Sequence, residues 1–153
     1  MNNIQIIEWQ DRYAEDFRRL SLEWLEKYLH VEPADIEILE HPRETVVDKG
    51  GMIYFAMDGE VPVGTVAMIR MEKDLYELAK LGVTEKYKGR HISELLMDAA
   101  IEFARKANAE KIELCSNSRL IPALMLYRKY GFMDVPVVDA HYEEADVMME
   151  LNL

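Results

Sequence analysis

The feature that most constrains this fold is a strand pattern that leads through a short loop into a long amphipathic helix. Residues 75–83 are mostly apolar, which predicts a buried strand. A helix is predicted from about residue 89 or 90 to Ala107, and residues 112–115 predict the next strand. Apolar residues recur along this helix at helical spacing: Ile92, Leu95, Leu96, Ala99, Ala100, Phe103 and Ala104. Two strands joined through a helix are expected to lie parallel in one sheet.

A β-hairpin is predicted upstream, because Asp58-Gly59 separates the apolar runs 52–57 and 61–70. Downstream, Pro122 fits the first turn of another helix, and Gly131 occupies the position favoured for a left-handed helix cap. That helix joins two more strands and predicts a second parallel pairing. The remaining predicted elements are a strand at 4–9, a helix capped by Asp11 and continuing to Tyr28, a helix at 33–40 with a further turn at 42–48, and final strands at 132–138 and 145–151.

This order of elements predicts an α/β (α+β) fold. We expect a mixed, mostly antiparallel central sheet of about seven strands with helices on both faces. The length of 153 residues suits one domain, so residues 1–153 are expected to form a single domain.

Composition excludes several classes of function. The net charge of −11 argues against binding to nucleic acid or anionic membranes and is compatible with an amine substrate. The single cysteine, Cys115, cannot form an internal disulfide, and no Cys/His cluster has zinc spacing, so we expect no metal. Residues 1–5 lack the features of a signal peptide, and no apolar stretch approaches the roughly 20 residues of a membrane span. A cytoplasmic location is therefore expected.

The loop at residues 87–93 is a candidate phosphate-binding site. The first amides of a helix have no partner within it and carry partial positive charge, so a phosphate placed there meets several donors. Gly89 permits an open backbone, and Lys88 and Arg90 add charge. An ordinary loop is the alternative, because many loops before helices carry a glycine and a lysine.

A second segment, residues 122–132, lies about thirty residues downstream. Taken alone, it predicts a helix with an aromatic core face and a glycine stop. The order and spacing of the two segments together are more specific than either segment alone.

Together the two segments resemble the GNAT family of acetyl-CoA-dependent N-acetyltransferases. The family loop, Arg/Gln-x-x-Gly-x-Gly/Ala, corresponds to Lys88, His91 and Ser93, with Gly89 and Ile92 also in typical places. The family signature Leu-Tyr-x-x-x-Gly-Phe stands at residues 126–132. His91 and Ser93 depart from the small residues of the family, and Lys88 replaces a bidentate arginine.

The resemblance implies roles for further residues. Tyr127 would protonate the leaving thiolate, and Glu77 would act as the base, directly or through water. The alternatives are a core tyrosine and a strand glutamate paired with Lys80. Backbone groups of the strand would contact the pantetheine arm and the thioester, and the whole implied cofactor site comprises Leu81, Gly82, Val83, Lys88, Gly89, Arg90, His91, Ile92, Ser93 and Asn117.

Asn117 is expected to contact the pantetheine or the acceptor, with a capping or loop asparagine as the alternative. Cys115 is expected to be a small core thiol rather than a nucleophile, because no histidine partner is evident.

The sequence therefore predicts transfer of an acetyl group from acetyl-CoA to a primary amine of a small molecule or peptide, by direct attack in a ternary complex. A non-catalytic acyl-CoA sensor or interaction module on the same fold is the alternative. A homodimer is plausible from the resemblance, and the acceptor is left open.

Overall fold

The computed structural model describes residues 3–153. Met1 and Asn2, on which the expectation about a signal peptide partly rests, lie outside the described residues. The described chain forms a seven-stranded sheet in the order β1-β2-β3-β4-β5-β7-β6. The strands are β1 (Ile4–Glu8), β2 (Met52–Asp58), β3 (Val61–Glu72), β4 (Leu75–Val83), β5 (Lys111–Ser116), β6 (Met133–Val135) and β7 (Val147–Asn152). Only the β4–β5 pairing among these strands is parallel, which confirms the mixed, mostly antiparallel sheet.

Helices cover both faces of the sheet, as predicted. They are α1 (Ala14–Tyr28), α2 (Pro33–Glu40), α3 (Pro42–Thr45), α4 (Ile92–Lys106) and α5 (Ile121–Lys129). Alternate residues of β3 separate the two sides: Val66 lies in the core beneath α4, and Ala67 lies in the core beneath α1. The sheet therefore has two apolar layers, one on each face.

Two helix starts differ from the prediction. Asp11 belongs to a short 3₁₀ turn, Asp11–Tyr13, and its carboxylate accepts the indole N–H of Trp9 at 2.8 Å. The N-cap of α1 is Tyr13, without a side-chain cap, so the prediction that Asp11 caps the helix is wrong. Helix α4 begins at Ile92 rather than near residue 90, because the residue before it, His91, has a φ of +61°.

Two strand connections also differ. Asp58 pairs with Val61, so the hairpin loop is Gly59-Glu60 rather than Asp58-Gly59, with Gly59 at a φ of +62°. The second strand–helix–strand passage does not give a second parallel pair, because β7 lies between β5 and β6. Strand β6 is also shorter than predicted; it ends before Pro136, which has no amide for the ladder.

The structural feature that opens the sheet is an irregularity in β4. Thr65 pairs with Gly82 but Ala67 pairs with Ala79, so β4 carries an extra residue, and Lys80 has a φ of +56°. This is a β-bulge, which bends its strand and increases the local twist. The pairing between β4 and β5 ends at Glu77 and Glu113, and the two strands separate beyond them.

The described residues contain neither a membrane-spanning helix nor a cluster of metal ligands. No helix within residues 3–153 has both the length and the apolar character needed to cross a membrane. No group of three or more His, Cys, Asp or Glu side chains in that part of the chain is placed to hold a metal ion.

Candidate active site

Two cavities meet where β4 and β5 separate. The larger encloses about 430 Å³ between the end of β4 and the N-terminal ends of α4 and α5. The smaller encloses about 70 Å³ beneath the connection between α1 and α2. Residues that border both cavities are Trp24, Leu78, Ala79, Lys80, Cys115, Ser116 and Leu120. A ligand in the larger cavity can therefore reach a ligand in the smaller one through the opening in the sheet.

The loop before α4 forms one end of the larger cavity. Gly89 and His91 have φ values of +79° and +61°, while Arg90 between them does not have a positive φ. Such alternation turns successive amides toward one concave surface, a geometry that binds anions. The backbone amides of residues 89–94 donate to no acceptor within residues 3–153, and the first helical bond is donated by Leu95 to His91. These donors are available to a phosphate at the helix N-terminus.

The side chains of this loop contribute unequally. Lys88, Gly89, His91, Ile92 and Ser93 all border the larger cavity, as predicted for cofactor contact. Lys88 pairs with Glu85 at 3.1 Å, and His91 lies 3.3 Å from the carboxylate of Glu94.

Arg90 is the member of the predicted loop set that does not border the cavity. Its guanidinium lies 4.9 Å from the centre of the Tyr87 ring. At this distance a cation–π contact holds the side chain against the aromatic face. The geometry brings the backbone of Arg90, not its charge, to the candidate phosphate site.

The end of β4 forms the wall of the larger cavity. Leu81, Gly82 and Val83 all border it. On one side Gly82 and Val83 pair with β3, and on the other side β5 has already diverged. The backbone groups on the open side have no strand partner and can bind an extended ligand. Gly82 is required here, because a β-carbon would lie 2.6 Å from Cδ1 of Trp24.

Tyr127 borders the larger cavity opposite β4. It is 8% exposed, and its hydroxyl forms no hydrogen bond with another described residue. Burial raises the pKa of Tyr127, so the side chain stays a neutral phenol that can donate a proton. Tyr127 also belongs to the hydrophobic core and packs against Phe132, so it has the position expected of a core tyrosine but no hydrogen bond to a described residue.

Glu77 borders the smaller cavity. It is 4% exposed and forms no hydrogen bond or ion pair with a described residue. Burial raises the pKa of Glu77 above its ordinary 4.5; His141 opposes this shift and Glu113 adds to it. A carboxylate whose pKa lies closer to neutrality is better suited to accept a proton.

Lys80 does not pair with Glu77, which was the predicted alternative. It forms a buried ion pair with Asp35 of α2; the two residues are 6% and 2% exposed. The Lys80 ammonium also lies 4.9 Å from the centre of the Tyr142 ring. Sequence reasoning missed Asp35 and Tyr142 because they lie far from β4 along the chain, and no local pattern marked them.

Asn117 borders the smaller cavity rather than the larger one. Its side-chain amide donates to the carbonyl of Glu144 at 2.5 Å, and its oxygen accepts the amide of Arg119 at 2.9 Å. The Glu144 carboxylate in turn accepts the amide of His30 at 2.6 Å. Asn117 therefore ties the loop before β7 to the start of α5, on the side of the opening away from the loop before α4.

Cys115 lies where the two cavities meet. Burial, together with the negative charges of Glu77 and Glu113, raises the pKa of the Cys115 thiol to about 11. A thiol with such a pKa is almost fully protonated at neutral pH and is a weak nucleophile. Cys115 is therefore partly buried at the cavities rather than in the core, which differs from the prediction of a core thiol, while its raised pKa is consistent with the expectation that it is not a nucleophile.

The sequence matches known acetyltransferases along most of its length. The Acetyltransferase (GNAT) family profile matches residues 5–132. An uncharacterised N-acetyltransferase, YvbK, from Bacillus subtilis is 28% identical over 118 residues, which cover 72% of this chain and 76% of that protein. The mouse N-acetylaspartate synthetase is 32% identical over 127 residues; these cover 82% of this chain but only 40% of the mouse protein.

Solved structures have the same fold. A GNAT-family acetyltransferase from Staphylococcus aureus Mu50 superimposes with a TM-score of 0.89 at 23% identity, covering 98% of this chain and 99% of that one. The PaiA N-acetyltransferase of Thermoplasma acidophilum, solved in complex with coenzyme A, superimposes with a TM-score of 0.78 at 16% identity, covering 99% of both chains. From the family match and this shared fold, we conclude that the chain belongs to the GNAT family of acetyltransferases.

Proposed function

We propose that this protein transfers an acetyl group from acetyl-CoA to a primary amine by direct attack in a ternary complex. The observation that carries the proposal is the meeting of the two cavities between β4 and β5. Backbone amides that donate to no described residue lie at the far end of the larger cavity, and a buried carboxylate without a hydrogen bond or ion pair in residues 3–153 lies in the smaller one. These are the requirements of a phosphate-bearing donor and a cationic acceptor.

The donor would lie along the larger cavity. The amides of residues 89–94 would hold the pyrophosphate, with Lys88 adding charge at the loop. The pantetheine arm would pair with the open edge of β4 at Leu81, Gly82 and Val83. The Thermoplasma acidophilum protein, which has the same fold, was solved in complex with coenzyme A, and this supports a coenzyme A donor.

The acceptor would lie in the smaller cavity, with its nitrogen directed at the thioester through the opening. Glu77 would take a proton from the ammonium and leave a neutral nucleophile. The nitrogen would attack the thioester carbonyl, forming the C–N bond and a tetrahedral oxyanion. As the intermediate collapses, the C–S bond breaks and Tyr127 would give its proton to the leaving sulfur. The second proton lost by the nitrogen would restore the Tyr127 phenol through solvent, and Glu77 would release the proton that it took to bulk water.

Direct attack is favoured over an acetyl-enzyme. Cys115, the single cysteine, lies at the junction of the cavities, but its thiol has a pKa of about 11. At neutral pH it would be outcompeted by an amine that a carboxylate deprotonates. Asn117 would act by positioning the loop before β7, and Arg90 would contribute charge at a distance from the pyrophosphate.

The test combines binding and turnover. Calorimetry should give one acetyl-CoA site per chain, and thiol release should follow when primary amines are added at saturating acetyl-CoA. Because the mouse relative is named for N-acetylaspartate, aspartate belongs in the panel. Binding without turnover on a broad amine panel would favour the sensor alternative. Absence of acetyl-CoA binding would overturn both.

A further inference from the structure

The smaller cavity has the volume of a few heavy atoms. Its enclosed space is about 70 Å³. A dry cavity of about 150 Å³ holds one benzene molecule, so this space suits roughly half as many atoms. It is not fully closed, so the rest of an acceptor can extend beyond it. The small volume favours an unbranched aminoalkyl end over one that is branched at the carbon bearing the nitrogen.

Carboxylates dominate the charge around this space. Glu32, Asp35, Glu77 and Glu144 border it. The basic side chains near them are Lys80 and His30, which border the same space, the partly exposed Arg119, which lies 3.5 Å from Glu144, and His141, whose charge acts on Glu77. Most of these groups already have partners: Lys80 pairs with Asp35, and Glu144 contacts His30. The Glu32 carboxylate accepts the amides of Glu143 and Glu144 at 2.7 and 3.2 Å.

Glu77 is the acidic group that this network leaves unpaired. It is 4% exposed, borders the cavity, and contacts no donor within residues 3–153. The charges of His141 and Lys80 favour the ionised form of Glu77 without forming an ion pair with it. A buried charge without a direct partner is costly, and an ammonium in the cavity would supply a counter-charge in contact with it. A carboxylate on the same ligand would lie among Glu32, Glu77 and Glu144, while the charge of Lys80 is already neutralised by Asp35.

Extending the proposed function, on which this inference rests, we propose that the acceptor is a primary amine at the end of an unbranched alkyl chain, with no carboxylate within the first carbons. The smaller cavity selects it through the unpaired Glu77 and through the Lys80–Asp35 pair, which denies a carboxylate its counter-ion. The α-amino group of an amino acid is excluded twice, by the branch at its carbon and by the charge of the adjacent carboxylate.

Two matched pairs of amines test the two parts of this inference at saturating acetyl-CoA. β-Alaninamide and β-alanine have the same shape and differ in one negative charge. n-Propylamine and isopropylamine have the same atoms and differ in the branch. We expect kcat/KM to be at least tenfold higher for the first member of each pair. Equal rates within either pair, or a preference for β-alanine or isopropylamine, would overturn the inference while leaving acetyl transfer intact.

A variant tests the role assigned to the ion pair. Asp35→Asn keeps an oxygen for the capping bond from the amide of Glu32, 2.9 Å away, but removes the counter-charge of Lys80. We expect its preference for β-alaninamide over β-alanine to fall at least tenfold. Glu37→Gln is the matched control, since it removes an exposed charge from the same helix and should keep the wild-type preference. An unchanged preference in a folded Asp35→Asn protein would remove the ion pair from the mechanism of selection.

Calorimetry of the same amines with wild-type protein saturated with CoA separates the inference from the proposed function. Selective binding of β-alaninamide without transfer to any amine would support the acceptor class and overturn catalysis. Neither transfer nor selective binding would overturn both.

Discussion

A β-carbon built on Gly82 would lie 2.6 Å from Cδ1 and 2.7 Å from Nε1 of Trp24. The Trp24 ring of α1 therefore packs against the open edge of β4. Trp24 borders both cavities, and Gly82 borders the larger one. Trp24 can lie there only because position 82 has no side chain. The shape of the junction, where a donor and an acceptor would meet, therefore depends on one pair of residues from distant parts of the sequence.

Gly82→Ala is expected to impair acetyl transfer by displacing the Trp24 ring into the junction. We expect kcat/KM to fall at least tenfold, since small displacements of reacting groups are costly to rate. Gly59→Ala is the control: nothing lies within 4 Å of its β-carbon position, and its φ is +62°. It should lose about 1 kcal/mol of stability and keep full activity. Steady-state kinetics and thermal unfolding separate the two; a fully active Gly82→Ala protein would contradict the packing argument.

Tyr127→Phe is expected to slow the chemical step about 10²-fold, the lower range for loss of a general acid. The fold should be unaffected, because the hydroxyl bonds to no described residue. Calorimetry should show nearly unchanged acetyl-CoA binding.

Tyr130→Phe is the matched control on the following turn. Its hydroxyl lies 3.0 Å from the carbonyl of Glu94 and 2.9 Å from the carboxylate of Asp98. The loss should cost about 1 kcal/mol of stability without changing kcat. Equal kcat values for the two variants would show that Tyr127 is not the acid.

Glu77→Gln is expected to remove the acid limb of the pH–rate profile. In the wild-type protein the rate should fall as pH drops through the pKa of Glu77, which burial holds above 4.5. Glu113→Gln should move that limb to lower pH, because Glu113 raises the pKa of Glu77. A wild-type profile in the Glu77→Gln protein would place the base elsewhere.

The raised pKa of Glu77 also predicts how the stability of the protein depends on pH. Because the folded pKa of Glu77 is raised, its stabilising contribution is present below the unfolded pKa and is lost as pH rises through the folded value. Glu77→Gln should therefore unfold at a higher temperature than the wild type at about pH 8 and at a similar temperature at about pH 4. A lower unfolding temperature at both pH values would mean that the carboxylate stabilises the fold.

Gly89→Pro is expected to weaken acetyl-CoA binding more than Lys88→Ala does. Proline requires a φ near −65°, whereas Gly89 has a φ of +79°, so the amides of the loop would be redirected. Lys88 is partly exposed and already paired with Glu85, so its loss should change the dissociation constant only about threefold. Calorimetry of acetyl-CoA binding to both variants shows whether the backbone amides or the Lys88 side chain hold the phosphate. A larger loss of affinity in Lys88→Ala than in Gly89→Pro would assign binding to the charge of Lys88.

His91→Gly is a change in the same loop that is expected to strengthen acetyl-CoA binding rather than weaken it. Histidine at a φ of +61° is strained, and glycine is not. We expect about 1 kcal/mol more stability and tighter acetyl-CoA binding, because the β-carbon no longer approaches the phosphate.

Local patterns in the sequence were enough to predict most of the elements. The helical repeat from Ile92 to Ala104 and the apolar run of Leu75–Val83 each bury one surface, so their periodicity predicted the type of element. The order of these elements and the two motifs led to the family. Local signals did less well at boundaries: the hairpin turn, the cap of α1 and the start of α4 depend on individual backbone angles and contacts that a repeat does not encode.

Only the tertiary structure decided which residues surround the smaller cavity. Lys80 and Asp35 are 45 residues apart, and Tyr142 comes from a loop that no periodic pattern describes. The insertion of β7 between β5 and β6, and the separation of β4 from β5 after Glu77, are long-range events that bring these residues to one opening. The sequence by itself determined most of the elements, the family and the position of the loop before α4, because these follow from local patterns along the chain. The cavity that would choose the acceptor depends on contacts between residues far apart along the chain, so it could be seen only in the folded protein.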